Sequence, residues 1–322
     1  MAETARRETR DDWLAGVQRI PLIAVLLVAT TVFCALFIDR FGTVDNLTNV
    51  ARQASVIALL AIGQTFVIAA GMIDLTVGAL ATLVVVAAAH LMDGDSARLP
   101  LALLVALALG IGIGALTGAL DAMLKIHSLI LTFGLMSVLG GVVFVYTDQS
   151  SGAPSSEIVW LANGLIAGMP VALLLVLLLT IAFHVLLART RFGVHAQAIG
   201  GSISGASHAG IQVTRVKWLC FVISGGFAAL AGLLLLGRLG TGYPNAGVGL
   251  ELDAIVAVVL GGTSLAGGRA NVAASVAAAA LLGIVSNALN LLEVSSFVQM
   301  ATKGLIVVAV IVLNQPRTRA WA

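Results

Sequence analysis

Few side chains in this sequence are suited to chemistry, and most of those few are neutral. Gln64 and Thr65 are adjacent within a long apolar run, and Asn287 and Asn290, three residues apart, share one face of a helix. Amides and hydroxyls donate and accept hydrogen bonds without charge. Polar groups in hydrocarbon are costly and usually face the protein interior or a water-filled path. The same groups also bond helix to helix, for roughly 0.6–2 kcal/mol each, so substrate contact and interhelical bonding both stand for these four residues. Asp74 follows Gly71 where two apolar runs meet with almost no loop between them. It is expected to cap the second helix at a break and complement that helix's positive end. Asp121 is expected to close the fourth run beside Lys125, and Cys34, Cys220 and His184 are read as packing residues. His-Glu-x-x-His, Gly-x-Ser-x-Gly and Gly-x-x-x-x-Gly-Lys-Ser/Thr do not occur. The chain is therefore expected to be neither an intramembrane hydrolase nor an ATPase.

The elements that must position these residues are set by composition. Of 322 residues, 60% are hydrophobic and only 10% charged, with a net charge of +2 and a mean hydropathy of +1.08. A soluble domain carries about 25% charged residues, so an ordinary soluble enzyme and a disordered chain are excluded, and the small net charge argues against a nucleic-acid partner. A membrane span needs about 20 apolar residues. Ten candidates follow: 20–38, 54–73, 74–92, 99–120, 128–146, 169–188, 216–237, 250–265, 270–292 and 296–313. The runs are continuous rather than alternating, which excludes barrel strands. The expected fold is an all-α polytopic membrane bundle of about ten spans, some short or broken, in contact with membrane lipid. The first span is read as a retained anchor, because the tail before it is long and of mixed charge and no small-x-small site follows. Residues 1–19 form an N-terminal tail, 20–314 a single transmembrane domain and 315–322 a C-terminal tail. Gly110, Gly114 and Gly118 repeat every four residues, a spacing that lets another helix backbone approach closely.

With the N-terminus inside and ten alternating spans, twelve of the seventeen Lys and Arg residues face the cytoplasm and four face outward. The positive-inside rule then places both termini in the cytoplasm and the 147–168 loop, which lacks Lys and Arg, outside. The longest cytoplasmic stretch is 189–215, glycine-rich and flanked by Arg189, Arg191, Arg215 and Lys217. A stretch of this length is uncommon without a task, and its Ala and Ser content suits a short helix docking into a partner's cleft.

Within that stretch, Gly193, Ala198-Ile199-Gly200-Gly201 and Gly210-Ile211 resemble the cytoplasmic loop of the ribose-type sugar permeases of ATP-binding-cassette (ABC) importers. Asn46-Leu47-Thr48-Asn49, Gly71-Met72-Ile73-Asp74-Leu75-Thr76-Val77-Gly78, Glu251-Leu252-Asp253-Ala254-Ile255, the 261–268 glycine run and Asn287-Ala288-Leu289-Asn290-Leu291-Leu292 match the same family in order. The chain departs from the pattern at Ser202, where the family usually has Asn, and over Gly205–Ala209, where it usually reads Ala-Ala-Arg-Leu-Ser.

The resemblance implies a bacterial inner-membrane permease subunit for a monosaccharide. It implies a second permease subunit, two cytoplasmic ATPases gripping the 189–215 loop, and an extracytoplasmic sugar-binding protein. No cofactor is expected, since ATP would be bound by the partner subunits. Replacing Gly200 is expected to release the ATPase without disturbing insertion. A permease of this type for a furanose signal, a nucleoside or a branched-chain amino acid is the alternative. Less favoured is an ion-coupled carrier, for which Asp74 is the one plausible intramembrane acid.

Overall fold

The computed structural model describes residues 23–124, 126–295, 298, 299, 301, 302, 304 and 305. The two tails, Lys125, Lys303 and most of the 296–313 span lie outside them. Helix α1 (Ile23–Phe37) leads through a short turn to α2 (Val44–Ala69). The second helix begins ten residues before the expected span. Asn46, Asn49 and Arg52 dilute the hydropathy there, but Thr43 caps the helix, its Oγ1 accepting from Asn46 N at 3.3 Å. After a break at residues 70–75 comes α3 (Thr76–Met92). A 3₁₀ turn, Ser96–Arg98, feeds α4 (Leu99–Leu124), and α5 (Ser128–Tyr146) keeps its expected limits.

A short helix, α6 (Ser156–Asn163), precedes a two-residue hairpin of β1 (Leu165–Ile166) and β2 (Met169–Pro170). Its turn residues, Ala167 and Gly168, both take positive φ, as a tight hairpin requires. The chain continues as α7 (Val171–Arg189), α8 (Arg191–Gly201), α9 (Ile203–His208), α10 (Val213–Leu239), α11 (Leu250–Leu260) and α12 (Val272–Leu291). The 189–215 stretch is thus two short helices rather than one.

The architecture is an all-α polytopic membrane bundle. Among the described residues six helices are long and apolar enough to cross a bilayer: α2, α4 with its 3₁₀ turn, α5, α7, α10 and α12. Helices α1 and α3 are apolar but shorter. The 250–265 expectation is corrected: α11 has 11 residues, about 16 Å at 1.5 Å per residue, and cannot cross about 30 Å of hydrocarbon.

Burial divides the bundle into two layers. Helices α2, α10 and α12 are largely enclosed, whereas α4, α5 and α7 turn most of their surface outward. The outward faces are apolar, with Leu104, Ile111, Leu116, Ile130, Val138, Leu178 and Ile181 exposed. Lipid solvates such side chains as well as the protein does, so helix association depends on close backbone packing and a few polar bonds. The α4–α10 seam supplies the packing. A Cβ on Gly110 would stand 2.5 Å from Gly225 O, and one on Gly118 would stand 2.9 Å from Trp218 Cα. Gly114 meets the backbone of Phe221 in the same way. Trp218 Nε1 closes the seam by donating to Ala115 O at 3.0 Å.

Candidate functional site

Helix α10 and the first turn of α5 converge on the break between α2 and α3, where Ile73 N donates to Ser128 Oγ (3.2 Å) and Ile73 O accepts from Thr132 Oγ1 (3.1 Å). Gly71 turns the chain with φ +76°, a conformation that glycine adopts without a Cβ penalty. The chain then runs back beside the last turns of α2. In the amide orientation that satisfies both groups, Gln64 Nε2 donates to Asp74 O (3.3 Å) and its Oε1 accepts from Asp74 N (3.2 Å). The Asp74 side chain, 1% exposed, accepts from Thr76 N (2.9 Å) and Thr76 Oγ1 (2.6 Å) on Oδ1. Its Oδ2 accepts from Ser224 Oγ of α10 at 2.8 Å. Ser224 lies between Phe221 and Gly225, which face Gly114 and Gly110 near the middle of α4. The carboxylate therefore ties the first turn of α3 to α10. Asp74 is not the sole acid at this level. Glu251 and Asp253 stand in the first turn of α11, and a Cβ on Gly78 would meet the Glu251 carboxylate.

The structure brings Gln64 and Asp74 together and leaves the other polar candidates apart. Thr65 Oγ1 donates to Ala61 O (2.6 Å) and lies 3.0 Å from Ser275 Oγ of α12. Asn287 pairs with Asn46, each amide donating to the other at 2.9 and 3.0 Å, and Asn46 also donates to Phe41 O. Asn290 is exposed and accepts from Gln299 Nε2 at 2.8 Å. Gln64, Thr65 and Asn287 are buried and do not line a common surface. Sequence spacing could not reveal Asn46 or Ser224, whose partners lie 241 and 150 residues away. Asn287→Leu is expected to lower the thermal stability of the purified chain by leaving the Asn46 amide oxygen and one of its two N–H groups unpaired. Adding Asn46→Leu is expected to recover much of the loss. A double-mutant cycle on melting temperature checks this, with a coupling of about 0.6–1.7 kcal/mol expected.

Asp121 pairs with Lys217 of α10 at 2.6 Å, a contact across the seam; Lys125, beside which it was expected to close the helix, lies outside the described residues. Toward the opposite end, Arg52 of α2 donates to Asn163 O, and Asn163 Nδ2 donates to Gly237 O at 2.8 Å. These bonds hold α6 onto the bundle.

At the α8 end, three backbone segments meet without intervening side chains. A Cβ on Gly200 would strike Ala69 O, Gly267 Cα and Gly268 N, while one on Gly267 would reach Gly71 at 2.8–2.9 Å. Gly268 N donates to Ala69 O at 3.0 Å. Gly200 thus faces its own bundle, and a bulky residue there would disturb folding rather than leave it intact. Gly193 likewise sits on the backbone of Leu187. Ala196, Ile199 and Ala206 are buried, Ala198 and Ile211 are half-buried, and Gly201 and Gly210 are exposed. The outward surface of the α8–α9 pair carries Val194 and Ile203, 54% and 57% exposed.

Between α10 and α11 the chain does not turn back at the end of the bundle. Gly242 bonds Ser151 in both directions (3.0 and 3.1 Å) and packs beside Ala89 of α3. Five residues on, Gly247 N donates to Thr82 Oγ1 at 2.9 Å, and a Cβ there would meet Gly78 O. Residues 242–247 thus descend along α3, and α11 begins at depth.

Residues 46–314 match the family model described as branched-chain amino acid transport system / permease component. The ribose import permease protein RbsC of Escherichia coli K12 is 36% identical over 319 residues, 98% of each chain. RbsC of Bacillus subtilis 168 is 36% identical over 280 residues, 85% of each. The L-arabinose transport system permease protein AraH of E. coli K12 is 34% identical over 304 residues, covering 93% of this chain and 90% of the relative. No solved structure matches the chain. With the break at Gly71, the half-length α11 and more than four-fifths of its length inside one family model, this chain belongs to the permease components of that transport family.

Proposed function

We propose that the protein is the membrane permease subunit of an ABC importer that moves a monosaccharide of the ribose, arabinose or allose type. Near-complete alignment with ribose and arabinose permeases carries this reading, and a D-allose permease matches at 31% identity. The chain is a conduit rather than an enzyme. Its motor is a pair of cytoplasmic ATPase subunits, and an extracytoplasmic binding protein delivers the sugar. Residues 20–314 act as one transmembrane domain in a bacterial inner membrane, paired with a second permease subunit. Both tails and the α8–α9 pair face the cytoplasm, and the 93–98 and 147–170 segments face outward.

In this reading α8 and α9 form the ATPase docking element. Gly193 and Gly200 seat α8 on the bundle, Gly201, Gly210 and Ile211 shape its exit, and Val194 and Ile203 offer an apolar face to the ATPase. Asp74 and Gln64 fix the broken helix, while Gly110, Gly114 and Gly118 pack α4 on α10. Reconstitution of the chain with its ATPase and binding protein tests the reading. ATP-dependent uptake of a labelled pentose or hexose is expected, and uptake that persists without the ATPase but stops with an uncoupler would overturn it. In the same assay Ile203→Asp is expected to reduce ATPase co-purification and uptake at least tenfold while the chain remains folded. Unchanged co-purification would remove α9 from the docking surface.

A further inference from the structure

The descending segment between α10 and α11 is set apart by its surroundings. Gly247 lies beside Thr82 and Gly78, which are ten and fourteen residues before the Met92 end of α3. At 1.5 Å per residue this places the foot of the segment about 15–21 Å below that end, well inside the hydrocarbon. Residues 242–249 are not helical. Non-helical backbone at membrane depth is tolerated only where protein covers it or where it borders water. Helix α3 covers one side of the segment. The other side is open: Tyr243 is 43% and Val248 67% exposed, and Asn245 is exposed. The Tyr243 hydroxyl and the Asn245 amide have no hydrogen-bond partner among the described residues. Exposed positions at comparable depth on α4, α5 and α7 are mostly apolar, Leu107, Ile111, Phe133, Val138 and Leu178 among them, and the exposed Ser137 hydroxyl is satisfied within its own helix by Phe133 O at 3.2 Å. A phenol and an amide facing lipid at this depth would be costly.

Charge narrows what passes this surface. No Lys or Arg occurs between Arg238 and Arg269. Glu251 stands half-buried at the foot of the segment, one oxygen accepting from Gly249 N at 3.2 Å. Such a wall repels carboxylates. It offers an aromatic face, an amide that both donates and accepts, and a carboxylate that accepts from hydroxyls.

We propose that residues 243–252 form a wall of the translocation path, with Tyr243, Asn245 and Glu251 contacting a neutral polyhydroxylated cargo and disfavouring an amino acid or other carboxylate. The proposal rests on the transport reading and adds the residues and the selectivity. In the complete transporter, Tyr243→Ala and Asn245→Ala are expected to lower sugar uptake at least fivefold. Membrane abundance and binding-protein-stimulated ATP hydrolysis should stay within twofold of the parent. Uptake at the parent level in both variants would overturn the proposal. A second measurement does not depend on transport. With buried Cys34 and Cys220 replaced by serine and alanine, Asn245→Cys is expected to react with a charged, water-soluble maleimide. Reaction only with a lipid-confined reagent would place the segment against lipid and overturn the proposal. Absence of sugar uptake by the unaltered transporter would instead sink the transport reading, and the labelling would still decide whether the segment faces water.

Discussion

Gly110→Leu is expected to reduce the yield of folded, monodisperse protein at least tenfold, whereas Gly112→Leu, two residues along the same helix, should leave it near the parent level. The contrast follows from what each new side chain meets. At Gly110 a Cβ would stand 2.5 Å from Gly225 O and 2.6 Å from Ala229 Cβ, while at Gly112 nothing lies within 4 Å. Overpacking usually costs about 1–3 kcal/mol where side chains can yield. Here one of the two neighbours is backbone, so α4 must move away from α10. That movement would also strain the Asp121–Lys217 pair and the Trp218–Ala115 bond. Gel filtration of detergent-solubilised variants, scored for the monodisperse peak, checks the result. Equal yields would show that the seam does not hold the bundle.

Asp74→Leu is expected to remove uptake and lower thermal stability together. Three donors lose their acceptor: Thr76 N, Thr76 Oγ1 and Ser224 Oγ. Each buried orphan costs about 1–3 kcal/mol, so the sum is comparable with the roughly 5–15 kcal/mol that holds a folded domain. Asp74→Asn keeps a carbonyl acceptor for Thr76, and Ser224 can turn its hydroxyl to accept from the new amide. It is therefore expected to regain most of both stability and uptake. Paired measurement of melting temperature and uptake separates this lock from ion coupling. An ion-coupled carrier would lose transport in the Asn variant while remaining stable.

Long, uniformly apolar runs were legible in the sequence because hydropathy alone defines them, as Ser128–Tyr146 illustrates. Polar side chains hid the start of α2, since Asn46 and Arg52 serve tertiary bonds that a hydropathy window counts as interruptions. The glycine repeat on α4 announced a close approach without naming α10. Asp74 was conspicuous at the Gly71 turn, yet its bond to Ser224 depends on how α10 threads the bundle. The 189–215 glycines were conspicuous in the sequence, but glycine spacing does not say which side of a helix is buried, so the approach of Gly200 to Ala69 and Gly267 was not legible there. The descent of residues 242–249 was missed because it carries no hydrophobic period, and its depth is set entirely by contacts with α3.

The junction of Gly71, Gly200, Gly267 and Gly268 has a mechanical corollary. Main chain rests directly on main chain there, so no rotatable side chain is available to absorb a shove applied to α8. A small displacement at that bearing must pass undamped to the turn after α2 and the turn after α11. Two distant levers of the bundle would then swing in step, as cogs mounted on one shaft.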